Sequence, residues 1–355
     1  MKKNFKITKI PSLIDMHVHF REPGFEYKET IETGIKSAIK GGFSGVCTMP
    51  NTNPVTDNTK TIKEILAKAK KYKFNIYPIA AITKNLNSLE LVDFKELKKA
   101  GAIAFSNDGL PLLDKNVFKN ALKSEELIIS HCENETTEIE WQIELFEQTQ
   151  KEGYKPKLHF CHVSRKESIE LIRKAKRKNL TITAETAPHY FTFTNKDIDN
   201  TGVFKMNPPL GEESDVRAVM DGLFDGTIDV IATDHAPHHS SEKAQSFKSA
   251  PFGIVGSETA LALSYTELVK GKVLTLSQLV EKMSTNPAKI IGIDKGNLAV
   301  GKVADIVVFD INEQYEINSD TFKSMGKNTP FNGRKVYGKV LYTIVNGKVV
   351  YDINK

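Results

Sequence analysis

Apolar positions along the chain fall into short runs rich in β-branched residues, separated by stretches of helical spacing, and most runs end abruptly in polar residues. Residues 12–20 read as the first strand, with Leu13, Ile14, Met16 and Val18. That run ends in His17-Val18-His19, ahead of an Arg21-Glu22-Pro23-Gly24 turn. Helical spacing over 30–41 stops at Gly41-Gly42. The same pattern predicts strands at 43–49, 74–83, 102–105, 127–130, 158–161 and 180–185, and an eighth that ends at Asp234. Helices are predicted between them over 59–72, 89–100, 116–123, 138–152, 166–179 and 216–224, and beyond the last strand over 257–270 and 277–283.

Such alternation indicates a parallel α/β fold. In a doubly wound sheet the polar clusters would gather at one switch point beside a glycine-rich phosphate turn. Here they are spread over most of the strand ends, which predicts a (β/α)8 TIM-like barrel with all those ends at one mouth. From residue 297 the pattern changes to short alternating strands with glycine turns, at 305–309, 340–345 and 348–351, and Asn346-Gly347 signals a hairpin. The expected division is a metal-dependent barrel over 12–296 and a small β-domain built from 1–11 and 297–355.

Composition narrows the class. A chain of 355 residues with 26% charged side chains suits a soluble enzyme of one large domain or two ordinary ones. No apolar run reaches membrane-spanning length, and the basic start, Met1 to Lys6, is not followed by an apolar signal segment. Cys47, Cys132 and Cys161 form no Cys-x-x-Cys pair, which fits a reducing compartment, and the expected location is the cytoplasm. The net charge of +5 comes from lysines scattered over helical segments without interleaved aromatics, so neither nucleic acid nor membrane is expected as a partner. A mildly basic surface favours approach of an anionic substrate.

The chemistry lies at the strand ends. Thr233-Asp234-His235 alone is equally well a helix cap beside a core histidine. Recurrence of such ends decides for a site. His17 and His19, two apart on a strand, point to the same face. Asp108, His131, His162 and Asp234 stand at other strand ends. Four imidazoles and two carboxylates at one mouth suit two divalent ions, zinc first among them. A neutral imidazole does not normally bridge metals, so Asp108 or Asp234 should. His159 reads as structural, on the face opposite His162. His189 reads either as a neighbour of the site or as a packed turn residue. His235 should point away from the metals, and His239 into solvent. Cys132 and Cys161 are expected to face the helices.

With these residues in place, the chain resembles the class I dihydroorotases of the amidohydrolase superfamily over nearly its whole length. The resemblance rests on His17-Val18-His19-Phe20-Arg21-Glu22-Pro23-Gly24, Met49-Pro50-Asn51-Thr52, Phe105-Ser106-Asn107-Asp108-Gly109, His131-Cys132-Glu133, Cys161-His162-Val163-Ser164, Lys205-Met206-Asn207-Pro208-Pro209, the Asp234 stretch and Pro251-Phe252-Gly253-Ile254-Val255-Gly256. It implies reversible cyclisation of N-carbamoyl-L-aspartate to L-dihydroorotate in pyrimidine synthesis, with two zinc ions per chain. By motif, His17, His19 and Asp234 would hold one zinc, His131 and His162 the other, and Asp108 would bridge. Asp234 would also move the proton. His19, Arg21, Asn51, Asn207, His238, Phe252 and Gly253 would bind substrate. The resemblance leaves open a homodimer and an association with aspartate transcarbamoylase.

The chain departs from the family pattern in places. Its start is short, so the small β-domain should be N-terminally shortened, and the segment between His131 and His162 is also short. Asn107 stands where a second aspartate is common, and Gly211 where an arginine is common. The nearest rival activities are those of hydantoinases and allantoinases, relatives that bridge their metals with a carboxylated lysine, yet no lysine lies between Ala100 and Pro111. A rival of another class is a non-catalytic scaffold for aspartate transcarbamoylase; such proteins tend to lose ligands, and all six are present here.

Overall fold

The apolar runs form two sheets in the computed structural model, which describes residues 6–355. The basic start of the chain and residues 1–5 of the expected β-domain lie outside the described residues. The chain opens with β1 (Ile7–Pro11) and then enters β2 (Leu13–Val18), β3 (Phe43–Thr48), β4 (Asn75–Ala81), β5 (Ala104–Ser106), β6 (Leu127–Ser130), β7 (Lys157–Phe160), β8 (Ile182–Thr186) and β9 (Val230–Ile231). β2 to β9 pair in chain order as one parallel sheet. Around it run α1 (Ile31–Lys40), α2 (Thr59–Lys71), α3 (Phe94–Ala100), α4 (Lys115–Leu122), α5 (Glu135–Lys151), α6 (Lys166–Arg177) and α7 (Glu213–Asp225), and a single turn, α8 (Ser240–Lys243), follows the last barrel strand.

Side-chain alternation separates two cores. On β6, Ile128 packs towards the helices while Ile129 joins Ile14, Met16, Cys47, Ile79 and Val230 inside the barrel. The helices present matching stripes. α1 buries Ile31, Gly34, Ile35 and Ala38, and starts where the Thr30 hydroxyl accepts from the Thr33 amide. α3 starts later than its spacing predicted, because Asp93 caps it by accepting from the Glu96 amide at 2.9 Å. None of the described helices is long and apolar enough to cross a membrane.

β1 belongs to a separate antiparallel sheet, ordered β1-β10-β11-β12, with β10 (Ile306–Glu316), β11 (Lys335–Val345) and β12 (Lys348–Asp352). Asn346 and Gly347 connect the last pair with φ of 50° and 73°, as a two-residue hairpin requires. This sheet rests on the outside of the barrel: Val307 covers Gly42, Thr343 donates to the Ile39 carbonyl at 2.7 Å, and the Phe309 and Tyr265 rings meet edge to face.

No regular ladder joins β9 back to β2. The seam is closed by a single bridge between Val18 and His235, by the His19 amide donating to His235 O at 2.8 Å, and by the buried Asp15. Asp15 Oδ1 accepts from the amides of Thr233 (3.0 Å) and His17 (3.2 Å), and Oδ2 from the Thr233 hydroxyl at 2.6 Å. Burial pushes the Asp15 carboxyl up to about 6, with the bonds to Thr233 and His17 acting in the opposite direction. Removing this carboxylate strands three buried donors at the seam. Asp15→Ala should therefore lower the unfolding free energy by roughly 2–4 kcal/mol, read from denaturant unfolding; a loss within ~0.5 kcal/mol would mean the seam closes without it.

Candidate active site

At the C-terminal mouth of the barrel lies a pocket with about 520 Å3 of empty space, part of it open to solvent. His19, Arg21, Asn51, Asp108, His131, His162, Asn207, Asp234, Phe252 and Gly253 line it, and none of its lining residues is a lysine. His17 lies beneath the floor, 1% exposed. His238 stands behind the wall, its Nε2 donating to the Phe252 carbonyl at 2.7 Å and its Nδ1 accepting from Lys28 Nζ at 3.3 Å.

Regular strand alternation does not produce this convergence; local breaks in it do. β2 has a register irregularity spanning Asp15 to Val18, and His17, within it, and His19, just beyond it, share the interior side with Ile14 and Met16. His162 and Asp234 follow β7 and β9 with φ of 31° and 49°, and Arg21 has φ of 60°. Such left-handed backbone in non-glycine residues concentrates at functional sites.

The imidazole tautomers follow from their partners. His17 Nδ1 is 2.8 Å from Glu185 Oε1, and His19 Nδ1 is 2.9 Å from Asn51 Oδ1; both partners are acceptors, so both Nδ1 atoms donate. That turns two Nε2 atoms towards carboxylates. His17 Nε2 lies 3.4 Å from Asp108 Oδ1 and 3.5 Å from Asp234 Oδ1. His19 Nε2 lies 3.4 Å from Asp108 Oδ2 and 3.3 Å from Asp234 Oδ1. Across the pocket, His131 Nδ1 and His162 Nε2 are 2.9 Å apart and lie 3.4 and 3.9 Å from Asp108 Oδ1. Burial disfavours an ionised Asp108, but His17, His131 and His162 outweigh it and hold the carboxyl well below its ordinary range. For Asp234 burial is likewise outweighed, by the bond from His19 and the charges of His17, His19 and His162.

Two carboxylates buried among four imidazoles need positive charge between them, from protons on the rings or from a cation held by the same atoms. His17 Nε2, His131 Nε2 and His162 Nδ1 are buried without a hydrogen-bond partner, which fits the same demand. Two sets of donor atoms are mutually close: His17, His19 and Asp234; and His17, Asp108, Cys161 and His162. Cys161 corrects one expectation, since it lies inside the barrel and not against the helices. Burial pushes its thiol far up, so it stays protonated and offers a poor ligand. Cys132 does face the helices, beside Gln142 of α5.

His159 also differs from its expected place opposite His162. It lies in the interior, with Nε2 3.2 Å from Glu185 Oε2 and Nδ1 2.8 Å from Thr183 Oγ1. The turn at His162 ends the alternation, so residues three apart share a side. His235 points away, its Nε2 3.4 Å from Glu29 Oε2. His239 is exposed and caps α8. His189 is buried against Tyr190. Glu185, which orients both His17 and His159, was missed; a lone carboxylate inside a buried strand was its signal.

Arg21 Nε donates to the Pro237 carbonyl at 3.1 Å, which aims the guanidinium into the pocket. Burial lowers its pKa to about 10, so it remains charged at neutral pH. Asn207 Nδ2 donates to Glu133 at 2.9 Å. Gly253 has φ of 122°, and a Cβ there would stand 2.6 Å from Ala236 Cβ, so only glycine fits this wall.

Comparison with known proteins agrees with this geometry. The amidohydrolase family model matches residues 8–350. The chain is 46% identical to the dihydroorotase of Acetivibrio thermocellus, over 96% of this chain and 87% of that one. It is 45% identical to the dihydroorotase of Ruminiclostridium cellulolyticum, over 96% and 86%. Among solved structures, the L-hydantoinase (dihydropyrimidinase) of Arthrobacter aurescens superposes with a TM-score of 0.84 at 25% identity, covering 97% of this chain and 85% of that one. The dihydropyrimidinase of Brevibacillus agri has a TM-score of 0.81 at 20% identity, covering 98% and 85%, and shares the fold. With a family model matched almost end to end and full-length relatives named dihydroorotase, the chain belongs to the dihydroorotases of the amidohydrolase family.

Proposed function

We propose that this chain is a zinc-dependent dihydroorotase, interconverting N-carbamoyl-L-aspartate and L-dihydroorotate in pyrimidine synthesis. The observation that carries the reading is a partly buried, charged guanidinium, Arg21, in the wall of a histidine–carboxylate pocket. Dihydroorotate has a ring carboxylate for that fork to hold, whereas hydantoin and dihydrouracil have none.

His17, His19 and Asp234 would hold one divalent ion, His131 and His162 a second, and Asp108 would span both. Two ions bound there would supply positive charge that polarises an amide carbonyl and acidifies water. The chain's residues do the rest. Arg21, with Asn51 and Asn207, orients the substrate so that its ring amide faces Asp234. In the hydrolytic direction a water oxygen bonds to the ring carbonyl carbon as Asp234 takes the water proton. The carbon–nitrogen bond then breaks as Asp234 returns that proton to the departing nitrogen, and the new carboxylic acid ionises. Cyclisation is the reverse. Asp234 is ionised at neutral pH, the form that a proton acceptor requires. The same pocket offers Asp108 where hydantoinases use a carboxylated lysine.

Five outcomes test this reading. Purified protein should turn over L-dihydroorotate in preference to hydantoin and allantoin, and Asp234→Asn should lower kcat by roughly a hundredfold or more while the fold persists; near-normal turnover in that variant removes Asp234 from the mechanism. Arg21→Lys keeps the charge and loses the planar fork, so KM for dihydroorotate should rise with metal content unchanged. Metal analysis should find close to two ions per chain, and Glu185→Ala should weaken divalent-ion affinity by about 10–100-fold in a competing-chelator titration, because His17 loses the partner that sets its tautomer.

A further inference from the structure

Lys243, at the end of α8, is a lysine buried to 4% exposure with no ion pair among the described residues. Its Nζ donates to three backbone carbonyls: Gly253 at 2.8 Å, Pro251 at 3.0 Å and Lys205 at 3.1 Å. An ammonium has three N–H donors, and here all three are used. Burial, and then the charge of Lys205, push its pKa down to about 7. A lysine kept in so unfavourable a place needs a reason beyond packing.

The three carbonyls supply that reason. Pro251 and Gly253 flank Phe252, and Lys205 lies two residues before Asn207; Phe252, Gly253 and Asn207 all line the pocket. Both segments are loops, so no ladder holds their carbonyls. The Gly253 amide donates to Lys205 O at 2.9 Å, and Asn328 Nδ2 donates to Gly253 O at 3.1 Å. Pro251 O has only the ammonium among its described hydrogen bonds. Lys205 in turn sets its Nζ 4.7 Å from the centre of the Phe252 ring. One buried cation therefore ties together two walls of the pocket that are far apart in sequence.

We propose that Lys243 is a positioning residue which sets substrate affinity by fixing the Pro251–Gly253 wall against the Lys205–Asn207 segment. Lys243 touches neither the histidine–carboxylate cluster nor the pocket interior, so its loss should alter binding more than chemistry. This inference rests on the dihydroorotase reading for its substrate, but not for its effect on the loop.

The test compares metal-loaded wild type with Lys243→Met. KM for dihydroorotate should rise by roughly tenfold or more, with kcat within about threefold and metal content as in wild type. Without substrate, amide hydrogen exchange over residues 250–254 should accelerate in the variant while the barrel strands keep their protection. Lys243→Ala should show the same defect, and n-propylammonium should partly restore both KM and exchange protection, whereas 1-propanol should not. Unchanged KM and unchanged loop exchange in Lys243→Met would overturn the inference. So would a fall in kcat with KM unaltered. If Lys243→Met does not fold, Lys243→Ala refolded with n-propylammonium takes its place, and failure of both to fold assigns the residue to general stability and overturns the proposal. Should wild type not turn over dihydroorotate, the functional reading fails, while loop exchange and amine rescue still decide the role of Lys243.

Discussion

A parallel barrel works as a scaffold only if its last strand meets its first, and here a single backbone bridge is reinforced by one buried aspartate. β9 is two residues long and shares no ladder with β2. Asp15 adds to the short backbone bridge at Val18 and His235 by accepting from Thr233 and His17 together. Those contacts sit one residue from Asp234 and on His17 itself, so the seam of the barrel and the floor of the site are the same structure. An ionisable group buried at such a place is disfavoured by desolvation, and it is retained because the donors around it would otherwise be stranded.

Above the seam the mouth concentrates backbone that the strands below it avoid. Arg21, His162 and Asp234 all take positive φ, and β2 is irregular around His17. Each of these conformations is unfavourable alone and persists because packing around it leaves no alternative. Their common effect is to bring imidazoles and carboxylates from separate strands within 4 Å of one another. Glu185 and Asn51 then fix the ring orientations of His17 and His19, so that both Nε2 atoms face the centre.

The outer wall of the pocket depends on residues remote from it in sequence. Asn328, from the segment between β10 and β11, donates to Ala236 O and Gly253 O and accepts from the His238 amide. Glu29 joins His235 to the Ser324 hydroxyl. The antiparallel part of the chain is thereby coupled to the mouth through buried polar contacts as well as through the apolar contacts of Val307 with Gly42 and Phe309 with Tyr265.

Hydrophobic periodicity is a local property, and what it can reveal was legible. Eight apolar runs with helical spacing between them, polar at their C-terminal ends, were enough to predict the barrel and to point to His17, His19, Asp108, His131, His162 and Asp234. The Asn346-Gly347 hairpin was equally plain, because a two-residue turn needs only its own φ angles. Side-chain direction at the strand ends was not legible. Alternation put Cys161 against the helices and His159 opposite His162, and a single left-handed residue, His162, overrode both. Nor could the sequence pair Asp15 with Thr233, His17 with Glu185, or Lys243 with Gly253. Each partnership joins groups that are costly to bury alone and become stable only when packing of the whole chain brings their acceptors and donors together.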